Sequence, residues 1–163
     1  MAMRRKANGE NSGQRARTID FSLGGSIGYL VRDANRAFQR LLERRIARHG
    51  VTRGQWYFLR VLWDEDGLSQ RELSARVGMM EPTTVIALRS MERAGLIRRA
   101  RNAEDRRSTQ VRLTPKAKRL RNRLLQLARE LTEQGAEGIG HNELIAFGRT
   151  ISRMTANLDR IER

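Results

Sequence analysis

Apolar residues recur every three or four positions along most of this chain, which is the spacing of amphipathic α-helices. The spacing predicts six helices, at residues 26–49, 52–66, 69–77, 82–94, 114–134 and 144–161. In the last helix the apolar positions are Leu144, Phe147, Ile151, Met154, Leu158 and Ile161. Alternating steps of three and four make a narrow seam of the coiled-coil kind. Such a seam joins two subunits or packs inside one.

Local signals mark where several of these helices begin and end. Thr52 and Ser69 stand where an N-cap is expected, and Glu72 completes a capping box with Ser69. Pro82 suits a first helical turn, and Thr114-Pro115 combines a cap with a first-turn proline. Glycines at positions 50, 67, 78 and 95 follow four of the predicted helices.

The helical period gives way to short strands after Gly95. Residues 96–101 and 109–113 are predicted strands, and the polar, basic loop 102–108 joins them into a hairpin. The predicted fold is therefore mainly α with a small β-hairpin. A short capped helix, a turn and a second helix, followed by a hairpin, are typical of a winged helix-turn-helix.

The second helix of that unit has two distinct faces. On a helical wheel Thr84, Ala87, Leu88 and Met91 form one side, which we expect to be buried. Val85, Ile86 and Arg89 lie on the opposite side with Pro82 and Arg93. Apolar groups on an outward face are suited to thymine methyl groups in a major groove. An ordinary amphipathic surface helix remains the alternative interpretation.

These patterns predict a set of DNA contacts. Arg89 is expected to read guanine or to bind a phosphate, and Thr83 and Ser90 to bind phosphates. Long arginines on the hairpin are suited to the minor groove of DNA. Asp105 would hold the shape of the hairpin tip. The alternative is that this tip is a solvated, charged turn. The predicted DNA-binding residues are Ser69, Gln70, Thr83, Thr84, Val85, Ile86, Arg89, Ser90, Arg101, Arg106 and Arg107.

Charge agrees with a polyanionic partner. The 163 residues contain 33 Lys+Arg against 18 Asp+Glu, a net charge of +15, and the sequence pI is about 11.6. Nucleic acid is the usual partner of so basic a chain, with an anionic membrane surface as the rival. No run of 18 apolar residues spans a bilayer, and the basic start is no secretory signal. We therefore expect a cytoplasmic protein without membrane association.

Composition narrows the chemistry further. The chain has no Cys and two His, at positions 49 and 141, which makes a metal site or a cofactor unexpected. Gly24–Gly28 spells the G-x-S-x-G pattern of a hydrolase, but no strand precedes it and no parallel sheet is predicted. An enzyme is therefore not expected.

The wing region resembles the MarR family of bacterial regulators. Glu104–Thr114 reads EDRRSTQVRLT and follows Met91–Ile97, MERAGLI, which is similar to the family's wing and its entry. The resemblance covers about residues 25 to 160 by element order. Many members carry a polar or basic residue where this chain has Ile86, and an acid where it has Arg89, so the family's base contacts do not transfer directly.

The resemblance implies a homodimer packed through the first helix and the last two. Such a dimer would bind a pseudo-palindromic operator in double-stranded DNA and act as a repressor. It would leave the DNA when a small effector binds, here an aromatic carboxylate or its coenzyme A thioester. The residues expected to line the effector pocket are Ser26, Tyr29, Arg32, Trp56 and Trp63, of which the tryptophans could equally be core residues.

The predicted organisation is a disordered basic arm at residues 1–22, a helical dimerisation region at 23–50 and 115–163, and a winged helix-turn-helix at 51–114. A non-sensing architectural DNA- or RNA-binding protein is the alternative, since it would also explain the charge. It explains the capped helix pair and the wing less well.

Overall fold

The computed structural model describes residues 22–101 and 109–161, and in these ranges the chain is mainly helical with one small sheet. The predicted order of helices and hairpin is confirmed, with one additional short strand. The elements are α1 Ile27–Ala47, α2 Arg53–Asp64, β1 Leu68–Ser69, α3 Gln70–Val77, α4 Glu81–Arg93, β2 Ile97–Arg101, β3 Thr109–Leu113, α5 Pro115–Gly135 and α6 His141–Ile161.

Side-chain caps fix the starts of three helices. The Thr52 hydroxyl accepts a hydrogen bond from the Gln55 amide, and the Gln55 side chain accepts from the Thr52 amide, which makes a capping box at α2. Ser69 and Glu72 form the predicted box at α3. Thr114 caps α5. These bonds satisfy amides that a helix leaves unpaired at its first turn.

Thr114 also ties the start of α5 to the end of α4. Its hydroxyl lies 2.7 Å from the Gly95 carbonyl oxygen, and its amide donates to the Leu96 carbonyl. The Lys116 ammonium donates to the Ala94 carbonyl at 2.8 Å. Carbonyls that the end of α4 leaves unpaired are thus bonded from the next helix.

The three strands form an antiparallel sheet in the order β1-β3-β2. In the hairpin Ile97 pairs with Leu113 and Arg101 with Thr109, and β1 joins at Leu68 opposite Val111. Val111 and Leu113 are buried on one face of β3, while Gln110 and Arg112, which alternate with them in sequence, are half-buried on the other face. This alternation holds the hairpin against the helices through one face only.

The core lies among the end of α1, α2, α3, α4, the sheet and α5 as far as Leu127. Its fully buried members include Phe58, Leu59, Leu73, Leu88, Met91, Leu96 and Leu124. Trp56 and Trp63 belong to the same cluster, with ring centroids 5.9 Å apart and planes at 76°. The Trp63 indole N–H donates to the Ala117 carbonyl, which joins α2 to α5.

The chain divides into two compact units after Arg36. In the first, the described residues 22–36 form a turn and the start of α1, where Arg32 pairs with Asp33 at 3.0 Å and lies over the Tyr29 ring. In the second, α6 buries no residue.

Within the described ranges, no helix is long and apolar enough to cross a membrane.

Candidate nucleic-acid interface

Hydroxyl groups lock α3 and α4 into one unit. The Thr84 hydroxyl donates to Ser74 Oγ at 3.2 Å, and the Ser74 hydroxyl donates to the Met79 carbonyl at 2.5 Å. Gly78 ends α3 with a φ of +68°, a left-handed conformation that favours glycine, and the Met79 amide turns back to the Ser74 carbonyl. The turn between the two helices is therefore held from both sides.

This bond network corrects one predicted DNA contact. Thr84 is 0% exposed and its hydroxyl is bonded inside the protein, so it has no surface to offer a ligand. Its position on the wheel had already placed it on the buried face with Leu88 and Met91, and both of these are fully buried. The prediction of Thr84 as a DNA contact is wrong, and its role is to join the two helices.

The opposite face of α4 is open. Ile86 is 68% exposed, Thr83 and Arg89 are exposed, and Val85 is half-buried. An isoleucine side chain left in water on a helix has no stabilising role there, which makes it the least expected residue on this surface. The exposed face thus combines an apolar group with an arginine three residues further on.

The remaining predicted contacts on α3 and α4 are partly engaged by the protein. Ser69 uses its hydroxyl as the cap of α3, and Gln70 follows it at the helix start, half-buried. Ser90 is half-buried, and its oxygen accepts a hydrogen bond from the buried Gln55 side chain at 3.1 Å. The Ser90 contact links α4 to α2, so its hydroxyl faces protein more than the sequence suggested.

The base of the wing carries several arginines. Arg101 is exposed at the end of β2, while Asp105, Arg106 and Arg107 lie outside the described residues. Arg98 on β2 stands directly opposite Arg112 on β3. Like charges at directly paired positions repel each other, and the sequence alone did not single out this pair. The Arg112 guanidinium donates to Gln110 and packs on Gly67.

An acidic residue fixes the hairpin to the helical part. Asp66 accepts a hydrogen bond from the Leu113 amide at 2.8 Å and pairs with Lys118 at 3.2 Å. The Gly67 amide donates to the Val111 carbonyl. These contacts hold β3 beside the end of α2, so the position of the wing depends on Asp66, a residue that sequence reasoning missed.

One carboxyl group near this surface has a shifted pKa. The Ser69 hydroxyl and amide both bond the Glu72 carboxylate, and together with the Arg76 charge they hold the pKa of Glu72 below its usual value. The carboxylate is therefore committed to the helix cap. Within the part of the chain that the structure describes, no group of three His, Cys, Asp or Glu residues is placed to hold a metal ion.

The predicted effector residues fall in different units. Ser26, Tyr29 and Arg32 lie before residue 37, and Trp56 and Trp63 lie after it. Trp56 is 6% exposed and packs as a core residue, in agreement with the alternative interpretation of the tryptophans. Trp63 is 9% exposed and lines a surface groove. A pocket made by all five residues stays a prediction.

Comparison with known proteins decides the family. A family model described as "MarR family" matches residues 49–108. The solved transcriptional regulator PA3341 is 32% identical, with a TM-score of 0.74, and the match covers 83% of this chain and 99% of that one. The chain belongs to the MarR family.

A curated relative of this MarR-family chain is the HTH-type transcriptional regulator TtmR of Methylorubrum extorquens, 34% identical over 103 residues. The match covers 63% of this chain and 53% of the relative, so the matched region spans about half of that protein. The order helix-turn-helix, hairpin and two long helices agrees with the winged-helix fold of the solved MarR regulators.

Two other solved relatives were determined with a bound molecule. The transcriptional repressor CouR, bound to a 23-mer DNA duplex, is 25% identical with a TM-score of 0.74, covering 82% of this chain and 94% of CouR. PcaV of Streptomyces coelicolor, in complex with its natural ligand, is 26% identical with a TM-score of 0.72, covering 84% and 96%.

Proposed function

We propose that this MarR-family chain is a transcriptional repressor that binds a pseudo-palindromic operator in double-stranded DNA as a homodimer. A small aromatic carboxylate or its coenzyme A thioester would release it. The observation that carries the proposal is the outward face of α4, where Ile86 is 68% exposed beside Arg89 on a helix locked to α3. Such a regulator would act in the cytoplasm, in contact with the chromosome.

The exposed face of α4 has the chemistry of major-groove recognition. Ile86 and the edge of Val85 offer apolar contacts for thymine methyl groups, and Arg89 offers a bidentate donor for guanine. Thr83 and the α3 start at Ser69 and Gln70 supply donors for phosphates. Arg101, with Arg106 and Arg107 beyond it in sequence, would place positive charge along the minor groove. CouR supports the proposal because it was solved on a DNA duplex.

The exposed apolar face of α6 supports a dimer. Phe147 is 62% exposed, Leu158 61% and Ile161 81%. The helix is 21 residues long, and none of its residues is buried. Burial of such a face against a second copy removes its apolar surface from water. A two-fold dimer would present two α4 helices about 34–36 Å apart, one turn of DNA, which is why a pseudo-palindromic operator is expected.

A duplex from the region upstream of the protein's own coding sequence tests DNA recognition. Fluorescence anisotropy with excess random DNA should give specific binding that the competitor does not abolish. Arg89→Ala should weaken binding by about 1–3 kcal/mol, if Arg89 reads a base. Arg129→Ala, an exposed arginine far along α5, is the matched control and should lower affinity far less.

The alternative, a non-sensing architectural DNA- or RNA-binding protein, predicts a different result. Random DNA or RNA would then compete as well as the chosen duplex, and Arg89→Ala would lower affinity no more than Arg129→Ala. That outcome would remove the repressor proposal. Deleting a phosphate contact should lower the salt slope by about one unit for either kind of protein, so the salt slope tests the contact and not the specificity.

A further inference from the structure

The outward face of α4 places an exposed isoleucine beside an exposed arginine. Ile86 is 68% exposed, and Arg89, three residues further on, is exposed as well. In the described ranges 22–101 and 109–161, no carboxylate oxygen lies within 4.0 Å of the Arg89 guanidinium. Apolar surface left in water does not stabilise a fold, and an exposed guanidinium keeps its donors for a ligand. Both side chains are therefore available to a partner.

The spacing of these two side chains matches the spacing of base pairs. Residues three positions apart are neighbours on a helix surface and lie about 4.5 Å apart along its axis. Adjacent base pairs of B-DNA are about 3.4 Å apart. With α4 in a major groove, Ile86 and Arg89 can therefore contact adjacent base pairs. The bond from Thr84 to Ser74 fixes α4 on α3, so the two side chains are presented to DNA together.

The two side chains recognise different chemical groups. An isoleucine offers only apolar contact, so it responds to the 5-methyl group of a pyrimidine and forms no hydrogen bond with the oxygen or amino group beside it. Thymine carries the 5-methyl group and cytosine does not, whereas 5-methylcytosine carries it as thymine does. Arg89 has the planar pair of donors that matches the O6 and N7 acceptors of guanine.

We propose that Ile86 and Arg89 together read a 5-methylpyrimidine next to a guanine in each half-site of the operator. Thymine or 5-methylcytosine would be bound at that position, and unmethylated cytosine would be bound more weakly. Methylation of a cytosine there would therefore strengthen binding. The DNA partner is thus defined by a methyl group in the major groove as well as by its base sequence.

This inference rests on the proposed function, because it concerns the DNA that the same face of α4 recognises. A test in two stages keeps the two outcomes separate. In the first stage the full chain selects duplexes from a random library, and enrichment of a sequence tests the proposed function. In the second stage single chemical groups of the selected duplex are changed, which tests the reading of the methyl group.

Deoxyuridine in place of each thymidine removes one methyl group and leaves base pairing intact. One such change beside a guanine should weaken binding about fourfold, the cost of losing one methyl contact. With a C·G pair at the same position, methylation of the cytosine at its 5-carbon should strengthen binding by about the same factor. Fluorescence anisotropy of the labelled duplexes measures each dissociation constant.

Variants of α4 assign these effects to side chains. Ile86→Ala should bind the thymidine and deoxyuridine duplexes equally well, because its short side chain stays at the helix surface. Arg89→Ala should lose at least about fivefold in affinity and should no longer distinguish guanine from 7-deazaguanine, which lacks the N7 acceptor. Met80→Ala is the matched control, since Met80 is 77% exposed at the N-cap of α4 and has no part in the proposed contact. It should keep both discriminations as in the parent.

Each outcome of the two stages has a definite meaning. If no sequence is enriched, the proposed function is overturned and this inference with it. A selected duplex in which no deoxyuridine change weakens binding would overturn this inference alone. A deoxyuridine cost that persists unchanged in Ile86→Ala would do the same, and DNA recognition by α4 would then stand without reading of the methyl group by Ile86.

Discussion

Thr83 and Thr84 are neighbours in α4, yet their hydroxyl groups have different surroundings. Thr83 is exposed, and Thr84 is fully buried with its hydroxyl bonded to Ser74. A buried hydroxyl bond contributes about 0.5–1.5 kcal/mol, and an exposed hydroxyl contributes little to folding. The two positions therefore separate stability from surface chemistry within one helical turn.

Thr84→Val should lower the free energy of unfolding by about 1 kcal/mol, because the methyl group keeps the volume but cannot donate to Ser74. Urea unfolding followed by circular dichroism measures the change. Thr83→Val is the matched control and should stay within about 0.5 kcal/mol of the parent. If the two variants were equally stable, the hydroxyl chain from Thr84 to Met79 would not join α3 to α4 as described.

At the scale of elements, the caps were the most predictable feature. The Ser69–Glu72 box, the Thr52 cap and the Thr114-Pro115 start follow from local sequence, because a cap is made by residues three positions apart. Strand β1 was missed, since two residues show no period and pair only through the distant β3. The contacts of Asp66 and the groove at Trp63 were missed for the same reason: they join residues far apart in sequence.

The start of α3 should respond to acid through Glu72. Its pKa is lowered in the folded chain by the bonds from Ser69, so its contribution to stability is complete above the unfolded-state pKa. The contribution is lost as pH falls through the lower, folded-state value. An NMR titration of the Glu72 carboxyl should show this depressed pKa, and Ser69→Ala should raise it toward the ordinary glutamate value.

An unchanged Glu72 pKa in the Ser69→Ala variant would contradict this prediction. If the Glu72 pKa were unchanged in that variant, the hydroxyl would not be the main cause of the shift, and the Ser69 amide and Arg76 would account for it. Glu143→Gln serves as a control, because this carboxylate bonds the Gly140 amide at the start of α6, away from Ser69. It should leave the Glu72 titration as it is in the parent.

At the scale of the whole molecule, the second unit has a buried core, and α6 lies outside that core with most of its residues exposed. The described core ends along α5, and none of the 21 residues of α6 is buried. The seam from Leu144 to Ile161 was readable from the sequence because its spacing is regular. The sequence did not show whether the seam packs inside one subunit. The exposure of the seam in the single chain favours a partner outside that chain.

Phe147→Glu should shift the chain toward monomers, because it places a charge in the apolar seam that the proposed dimer would bury. Sedimentation velocity over a range of concentrations measures the shift. Arg149→Glu also adds an acid to α6 but on the opposite side of the helix, and it should leave the assembly unchanged. A Phe147→Glu protein that sediments like the parent at every concentration would show that α6 does not hold two copies together.

The two tryptophan rings in α2 also give the protein an intrinsic fluorescent probe. The sequence has two tryptophans, Trp56 and Trp63, and they lie edge to face at 5.9 Å inside the core. Since Trp63 also lines the groove, an occupant there would alter its fluorescence, while unfolding would shift the emission of both indoles to longer wavelengths. The tryptophan fluorescence of α2 would thus distinguish an occupied groove from an unfolded chain, without an added label.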